Sequence, residues 1–369
     1  EMARIASGQG FRLHRILVLD FGVGKGQAAI PALTRSLLGI KPGSSKRKRV
    51  RKLEAAEAEQ LAGPDQRVFF NDLLDLNQPL ELRTLYDAME VATRIEGRHR
   101  AVTDLLTRLA DRNPLLLVIE GLHWADSEVM DFLVRLTATV AESPVLMILT
   151  SRLEGDPIDT NWRARSSEHP VVTWDLGPLR TEECLQMVSS IGNVGSGFAQ
   201  MCVARAEGNP LFLEQLLLGG EKSGREGLPD SIKSLVLSRI DHLDSEDKLA
   251  LRAASVLGQR FGHDSLCYLL ETERYDCQRL IDHHLLRPEG VQFLFAHALI
   301  QSGAYSSLLR NQRAELHRRA ARWFAEHDPV LHAEHLDHAG DDAAADAYLQ
   351  AARAESRHYR PERALRPTR

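Results

Sequence analysis

Leu115-Leu116-Leu117-Val118-Ile119-Glu120 restricts what this chain can fold into more than any other stretch. The apolar run is far too short to span a bilayer, which takes about 20 residues. Asn113-Pro114 in front of it prevents a helix from leading in. It therefore reads as a strand buried on both faces, the kind that sits in the middle of a parallel sheet. Such sheets are covered by helices, so the run implies an α/β architecture. It ends in one carboxylate, Glu120, and a short loop leads to Asp126-Ser127, which can cap a following helix. The carboxyl ends of strands in doubly wound sheets face the crevice that receives ligands. An acid there has two readings: a surface carboxylate that closes a strand, or the group that holds Mg²⁺ in phosphate-handling ATPases.

Other stretches fit the same sheet. His14–Asp20 is a second buried-strand candidate, and Val145–Leu149, entered through Pro144, is another. The latter runs into Thr150-Ser151-Arg152, so Arg152 is a cation at the end of a neighbouring strand. It could reach a nucleotide's terminal phosphate or pair with Glu154 on the surface. Val171–Leu176 reads as a further strand. Helical periodicity over Ala28–Leu38, Leu53–Leu61, Phe69–Leu76, Leu80–Ile95 and Val102–Ala110 supplies the flanking helices. Phe21-Gly22-Val23-Gly24-Lys25-Gly26 superficially resembles a phosphate loop. The required G-x-x-x-x-G-K-[ST] fails there, because Leu19 stands at the first glycine and Gly26 at the hydroxyl position. A turn before a helix is the better reading.

The chain has 369 residues, enough for two or three domains, and a net charge of −5 that gives no reason to expect strong nucleic-acid binding. Cys184, Cys202, Cys267 and Cys277 are too far apart for CxxC chemistry and read as reduced structural thiols of a cytoplasmic protein. No run reaches transmembrane length, so no membrane partner is expected. Lys46–Lys52 is almost entirely basic, a solvated loop or helix start rather than a nucleic-acid patch.

From Arg180 the pattern turns helical. Gly208-Asn209-Pro210 opens the helix Leu211–Leu218, with Pro210 near its first position. Gly219–Gly227 is a polar linker. Ile232–Leu243, Asp247–Leu257, His263–Leu270 and Cys277–Leu285 form a helical block ahead of the short strand Gln292–Phe295, an order that suits a winged-helix-like domain. Ala314–Ala325 and Ala343–Ala354 look like the start of a helical-repeat array. His327, His332, His335 and His338 crowd this region without a second set of ligands, and read as partly exposed helix histidines rather than a metal centre.

Leu115–Asp126, Thr150-Ser151-Arg152, Gly208–Glu214, Leu228–Ile232 and Phe295–Leu299, in this order, resemble the signal-transduction ATPases with numerous domains (STAND), an AAA-related P-loop group. The opening helix and Val18–Gln27 are most similar to the version in bacterial multidomain class III adenylate/guanylate cyclases. The resemblance implies four parts. Residues 1–179 are an N-terminally truncated parallel-sheet P-loop NTPase core, and 180–222 a helical lid with a GxP turn. Residues 223–296 are a winged-helix-like domain, and 297–369 the start of tetratricopeptide-like repeats. It also implies ATP and Mg²⁺ as cofactors, with Glu120 the acid on Mg²⁺, Arg152 a sensor near the γ-phosphate, Pro210 against the adenine and His297 sensing the β-phosphate. Gly121 replaces the second acid that the family carries after the first, and the phosphate loop itself is expected upstream of Glu1. The expected function is an ATP-binding regulatory switch of a larger bacterial signalling protein, with protein partners on the repeats. The alternatives are the ATPase module of a transcription regulator, with nucleic acid bound only by domains outside this chain, and a non-hydrolysing scaffold.

Overall fold

A computed structural model describes residues 2–19, 29–166, 171–192, 194–219 and 231–357. The chain divides into two compact units, Glu1–Val172 with the short pieces Glu289–Gln292 and Asp346–Arg369, and Thr173–Pro288 with Phe293–Ala345.

The first unit runs α1 (Met2–Gly8), β1 (Arg12–Leu17), α2 (Ala29–Leu37), α3 (Lys46–Ala58), α4 (Arg67–Leu73), α5 (Leu80–Ala88), α6 (Val91–Ala110), β2 (Leu115–Glu120), α7 (Ser127–Ala141), β3 (Val145–Thr150) and α8 (Thr160–Arg165). Among the described residues its sheet has the order β1-β2-β3, all parallel. The prolines expected to start strands do so through their carbonyls: Pro114 accepts from the Arg12 N–H and Pro144 from the Leu115 N–H. Register pairs Leu117 with His14 and Met147, and Glu120 with Leu17 and Thr150.

One sheet face presents Ile16, Leu115, Leu117 and Ile119, which pack into a core with Leu33, Leu105, Leu106, Phe132, Leu133 and Leu136 from the helices. Alternation sends Leu13, Arg15, Leu17, Leu116, Val118, Glu120, Leu146 and Ile148 to the other face. Leu116 is fully buried there, but Leu13 and Leu146 keep 39 % and 46 % of their surface exposed. Only β2 is buried in the manner of a central strand. β3 has a central strand's sequence and an edge strand's exposure.

Three expectations are corrected here. Val171–Leu176 forms no ladder among the described residues, and Val172, Trp174 and Leu176 are 74 %, 78 % and 92 % exposed. Alternating apolar residues make a strand only when a partner edge is available. The helix expected over Leu80–Ile95 breaks at Met89, whose backbone is extended, because the Arg94 guanidinium binds the Met89 and Asp87 carbonyls and caps α5. The His14 strand begins earlier and closes at Leu17. The phosphate-loop-like Phe21–Gly26 lies outside the described residues. The basic run forms the first turns of α3, with Ser45 as its cap.

The second unit runs α9 (Thr181–Ile191), α10 (Ser196–Ala206), α11 (Pro210–Gly219), α12 (Ile232–Asp241), α13 (Ser245–Leu257), β4 (Arg260–Gly262), α14 (His263–Leu269), α15 (Gln278–Asp282), β5 (Leu286–Glu289), β6 (Gln292–Phe295), α16 (Ala298–Ser306), α17 (Arg310–Ala325) and α18 (Pro329–His338), and α19 (Ala344–Arg357) follows. Cys184, Cys202, Phe212, Leu213, Leu216 and Leu235 form one core cluster. A small sheet of order β4-β6-β5 carries the grouped rings of Phe261, Phe293 and Phe295. All four cysteines are free and buried, and burial pushes the thiols of Cys202 and Cys277 up to about 11 and about 12. Among the described residues no helix is long and apolar enough to cross a membrane.

The C-terminal histidines correct a fourth expectation. His327 and His338 are exposed, but His335 has no exposed surface, nor has His317 on the adjacent helix. The two Nδ1 atoms are 2.9 Å apart, and His317 Nε2 is 2.9 Å from the Tyr305 hydroxyl. Among the described residues no group of three or more His, Cys, Asp or Glu is arranged to hold a metal.

Candidate functional site

The mouth of β2 is held by backbone on both sides. The Val18 N–H donates to the Glu120 carbonyl at 2.8 Å, and the Gly121 N–H donates to the Thr150 carbonyl at 3.1 Å. Gly121 then turns in the left-handed region, φ 81° and ψ 34°, into a 3-10 turn over Leu122–Trp124. A Cβ on Gly121 would lie 2.8 Å from the Val18 carbonyl oxygen. Position 121 therefore has no room for the second acid: the turn, not only the chemistry, demands glycine. Gly121→Asp is expected to lower stability by about 1–3 kcal/mol in urea unfolding, and a variant as stable as the wild type would show that this turn is different in solution.

Asp126 accepts the Val129 N–H at 2.9 Å and caps α7. Its side chain therefore serves the helix, where the helix dipole also favours it. Glu120 has a partner that the sequence did not reveal. Arg15 Nε donates to Oε1 at 3.0 Å and Arg15 Nη2 to Oε2 at 2.8 Å, a bidentate fork on the carboxylate. Arg15 stands two residues before Leu17, the register partner of Glu120, so alternation puts both on one sheet face. The signal was there to be read: one cation on the otherwise apolar face of β1. Arg152 follows β3 on an exposed segment, two residues past Thr150, which is aligned with Glu120. The strand register thus brings Glu120 and Arg152 to the same end of the sheet.

As arranged, these residues do not fit a divalent ion. Both Glu120 oxygens face a guanidinium, Asp126 is a cap, and no metal-holding cluster exists among the described residues.

Pro210 and His297 belong to the second unit. Pro210 is exposed at the first position of α11. Asn209 Oδ1 accepts the Phe212 N–H at 3.1 Å. Gly208, at φ +79°, accepts the Leu179 N–H with its carbonyl at 2.8 Å. A Cβ there would come within 2.5 Å of the Leu179 oxygen. Gly208→Ala should therefore cost about 1–3 kcal/mol, measured by thermal unfolding, and an unchanged midpoint would contradict the close approach. His297 is the N-cap of α16, its Nδ1 accepting the Leu299 N–H at 3.1 Å. The segment Leu228–Asp230 lies outside the described residues.

No protein-family model matches the sequence. Uncharacterized protein R02095 of Rhizobium meliloti (strain 1021) is 25 % identical over 285 residues, covering 66 % of this chain and 26 % of that protein. The crystal structure of the STAND protein with a tetratricopeptide repeat sensor PH0952 from Pyrococcus horikoshii aligns over 100 % of this chain and 57 % of that chain. Its TM-score is 0.54 at 12 % sequence identity. The fold is similar to that of this Pyrococcus protein. At this identity the likeness concerns the arrangement of elements and not their chemistry. The chain spans about a quarter of the Rhizobium protein and little more than half of the Pyrococcus chain, by the 26 % and 57 % coverages.

Proposed function

We propose that this chain is the ATP-binding regulatory module of a longer signalling protein, with the phosphate-gripping loop contributed by polypeptide outside residues 1–369. The observation that carries this reading is the mouth of β2. A buried central strand of a parallel sheet ends there in Glu120, beside the strand end that leads to Arg152, within a STAND-like fold. Two features support an external loop. No G-x-x-x-x-G-K-[ST] occurs anywhere in the sequence. β3 is apolar on both faces yet Leu146 is 46 % exposed, as expected of an edge that accepts another strand.

In this reading the sequence resemblance assigns Arg152 to the terminal phosphate, Pro210 to the adenine and His297 to sensing the β-phosphate. Residues 1–179 form the ATPase-type core, 180–222 the lid and 223–296 a winged-helix-like domain that passes occupancy to the repeats. The repeats, from 297 onward, recruit protein partners. A bacterial adenylate/guanylate cyclase is the assignment favoured for the whole protein, resting on the sequence resemblance. A second reading has a specific observation in its favour: the Arg15 fork on Glu120 and the left-handed Gly121 suit a scaffold that binds without hydrolysing.

Photolabelling with 8-azido-ATP tests the binding site. The longer polypeptide should be labelled in the peptide containing Gly208–Phe212 and protected by ATP, and labelling without ATP protection would remove the nucleotide reading. Steady-state hydrolysis separates the two variants. Turnover abolished by Glu120→Gln supports the switch, and ATP-protected labelling with no turnover supports the scaffold.

A further inference from the structure

We infer that the outer face of α3 is a docking surface for an acidic segment of a partner protein, read by Lys46, Arg47, Lys48, Arg51 and Lys52. The inference is independent of the nucleotide reading. All five residues are exposed, and among the described residues none of their side chains has an ion-pair or hydrogen-bond partner. The other cation of the run behaves differently. Arg49 turns inward, donating to the Leu74 carbonyl at 2.5 Å and lying 3.6 Å from Asp75. Together with Leu53 and Ala56, both buried, it defines the inner face of the helix. Helical periodicity then leaves positions 47, 48, 51 and 52 on the outer one.

This arrangement works against folding. Arg47 and Arg51, and likewise Lys48 and Lys52, are like charges one turn apart, which repel. The run also sits at the positive end of the helix dipole, where acids are favoured, and the first turn holds none. A local rule broken without a gain inside the fold points to a functional surface. Charge complementarity selects an anion, and the rest of the helix selects its kind. Leu53 and Ala56 belong to the core, so they are not available to enter a bilayer, and charge alone gives no stable anchoring. α3 carries no aromatic side chain on which a base could stack. A nucleic-acid duplex would also extend its charge past the patch, over a chain of net −5. A carboxylate-rich protein segment is matched instead: acids at one-turn spacing meet both rows of cations, and arginine forks suit carboxylates.

Fluorescence anisotropy with a labelled peptide of Glu-Glu-Ala-Ala repeats, titrated with the 369-residue chain, tests the inference. The wild type should bind, and binding should weaken as salt rises. Arg47→Gln/Lys48→Gln/Arg51→Gln/Lys52→Gln should bind about thirtyfold more weakly, the combined effect of four exposed ion pairs. A control that removes the same charge elsewhere, Arg83→Gln/Arg100→Gln/Arg135→Gln/Arg165→Gln, should bind like the wild type. The α3 variant should keep its far-UV dichroism and unfold at the same or a higher urea concentration, since the repulsion at the helix start is relieved. No binding of the peptide by the wild type, or an equal loss in the control, would overturn the inference. So would earlier unfolding of the α3 variant, which would show that these cations serve the fold. Tighter binding of a short DNA duplex or of phosphatidylserine vesicles than of the peptide, at physiological ionic strength, would overturn the choice of partner.

Discussion

Arg98→Ala is expected to destabilise the first unit by about 3–5 kcal/mol, the range for breaking a buried ion pair from one side. Arg98 on α6 donates to Asp72 Oδ2 on α4 at 3.0 Å and to Glu128 Oε1 in the first turn of α7 at 3.0 Å. The side chains of Arg98 and Asp72 are 8 % and 7 % exposed, so neither charge can turn to water when the other is removed. Glu128 also lies 3.9 Å from His99 Nε2, and the His99 ring packs against Phe132 with centroids 5.0 Å apart. Burial, with Arg98 and Arg135 adding repulsion, lowers the His99 pKa to about 4. One guanidinium therefore ties three helices together and fixes the start of α7, the helix that follows the loop after Glu120. Arg100, whose ion pair leaves its side chain 80 % exposed, is the control and should change stability by less than about 0.5 kcal/mol. Denaturant unfolding followed through buried Trp162, whose Nε1 donates to the Met130 carbonyl, reports on this unit. A loss below about 1 kcal/mol for Arg98→Ala would show that the network is solvated.

Acid should destabilise α17 and α18 steeply, well above the pH at which carboxylates titrate. His317 and His335 have no exposed surface, and burial together with neighbouring histidines lowers their pKa values to about 2 and about 3. The groups facing them are Tyr305, Arg313, His332 and His338, with Phe324 stacked on His335. The 2.9 Å contact between the two Nδ1 atoms requires a proton on one and a lone pair on the other, so both rings cannot be charged at once. The folded pKa of each is depressed below the ordinary 6.5. The unfolded chain therefore takes up more protons, and the stability present above pH 6.5 is lost as pH falls toward the folded values. Each ring contributes a slope of about 1.4 kcal/mol per pH unit in that window, roughly 4 kcal/mol for the pair between pH 7 and 5. Unfolding followed at Trp323, on α17, should show this, and a His317→Gln/His335→Leu variant should lose most of the slope while being weaker at pH 7. An undiminished slope in that variant would place the proton uptake elsewhere.

The parts legible in the sequence are those set by local pattern. The apolar run that becomes β2, the start of β3 at Pro144, the Asp126 cap and the turn at Gly208-Asn209-Pro210 all follow from short-range sterics and hydrogen bonding. The α18 start was also within reach, since Asp328-Pro329 is a cap followed by a first-position proline, though its histidine-rich face hides the helical period. What escaped depends on contacts between residues far apart in the chain. Arg15 meets Glu120 across 105 positions and only because of a particular strand register. His317 and His335 are buried because two helices pack ring against ring, whereas composition alone suggests exposure. Val171–Leu176 shows the converse, a strand pattern that tertiary structure does not use.

Titration calorimetry with Mg-ATP, run on the 369-residue chain and on a longer polypeptide that carries the sequence encoded upstream, tests the nucleotide reading most directly. The chain alone, without a glycine-rich lysine loop, should bind weakly or not measurably, and the longer polypeptide should bind. Submicromolar affinity in the 369-residue chain would put the phosphate site elsewhere, and no binding by the longer polypeptide would contradict the account.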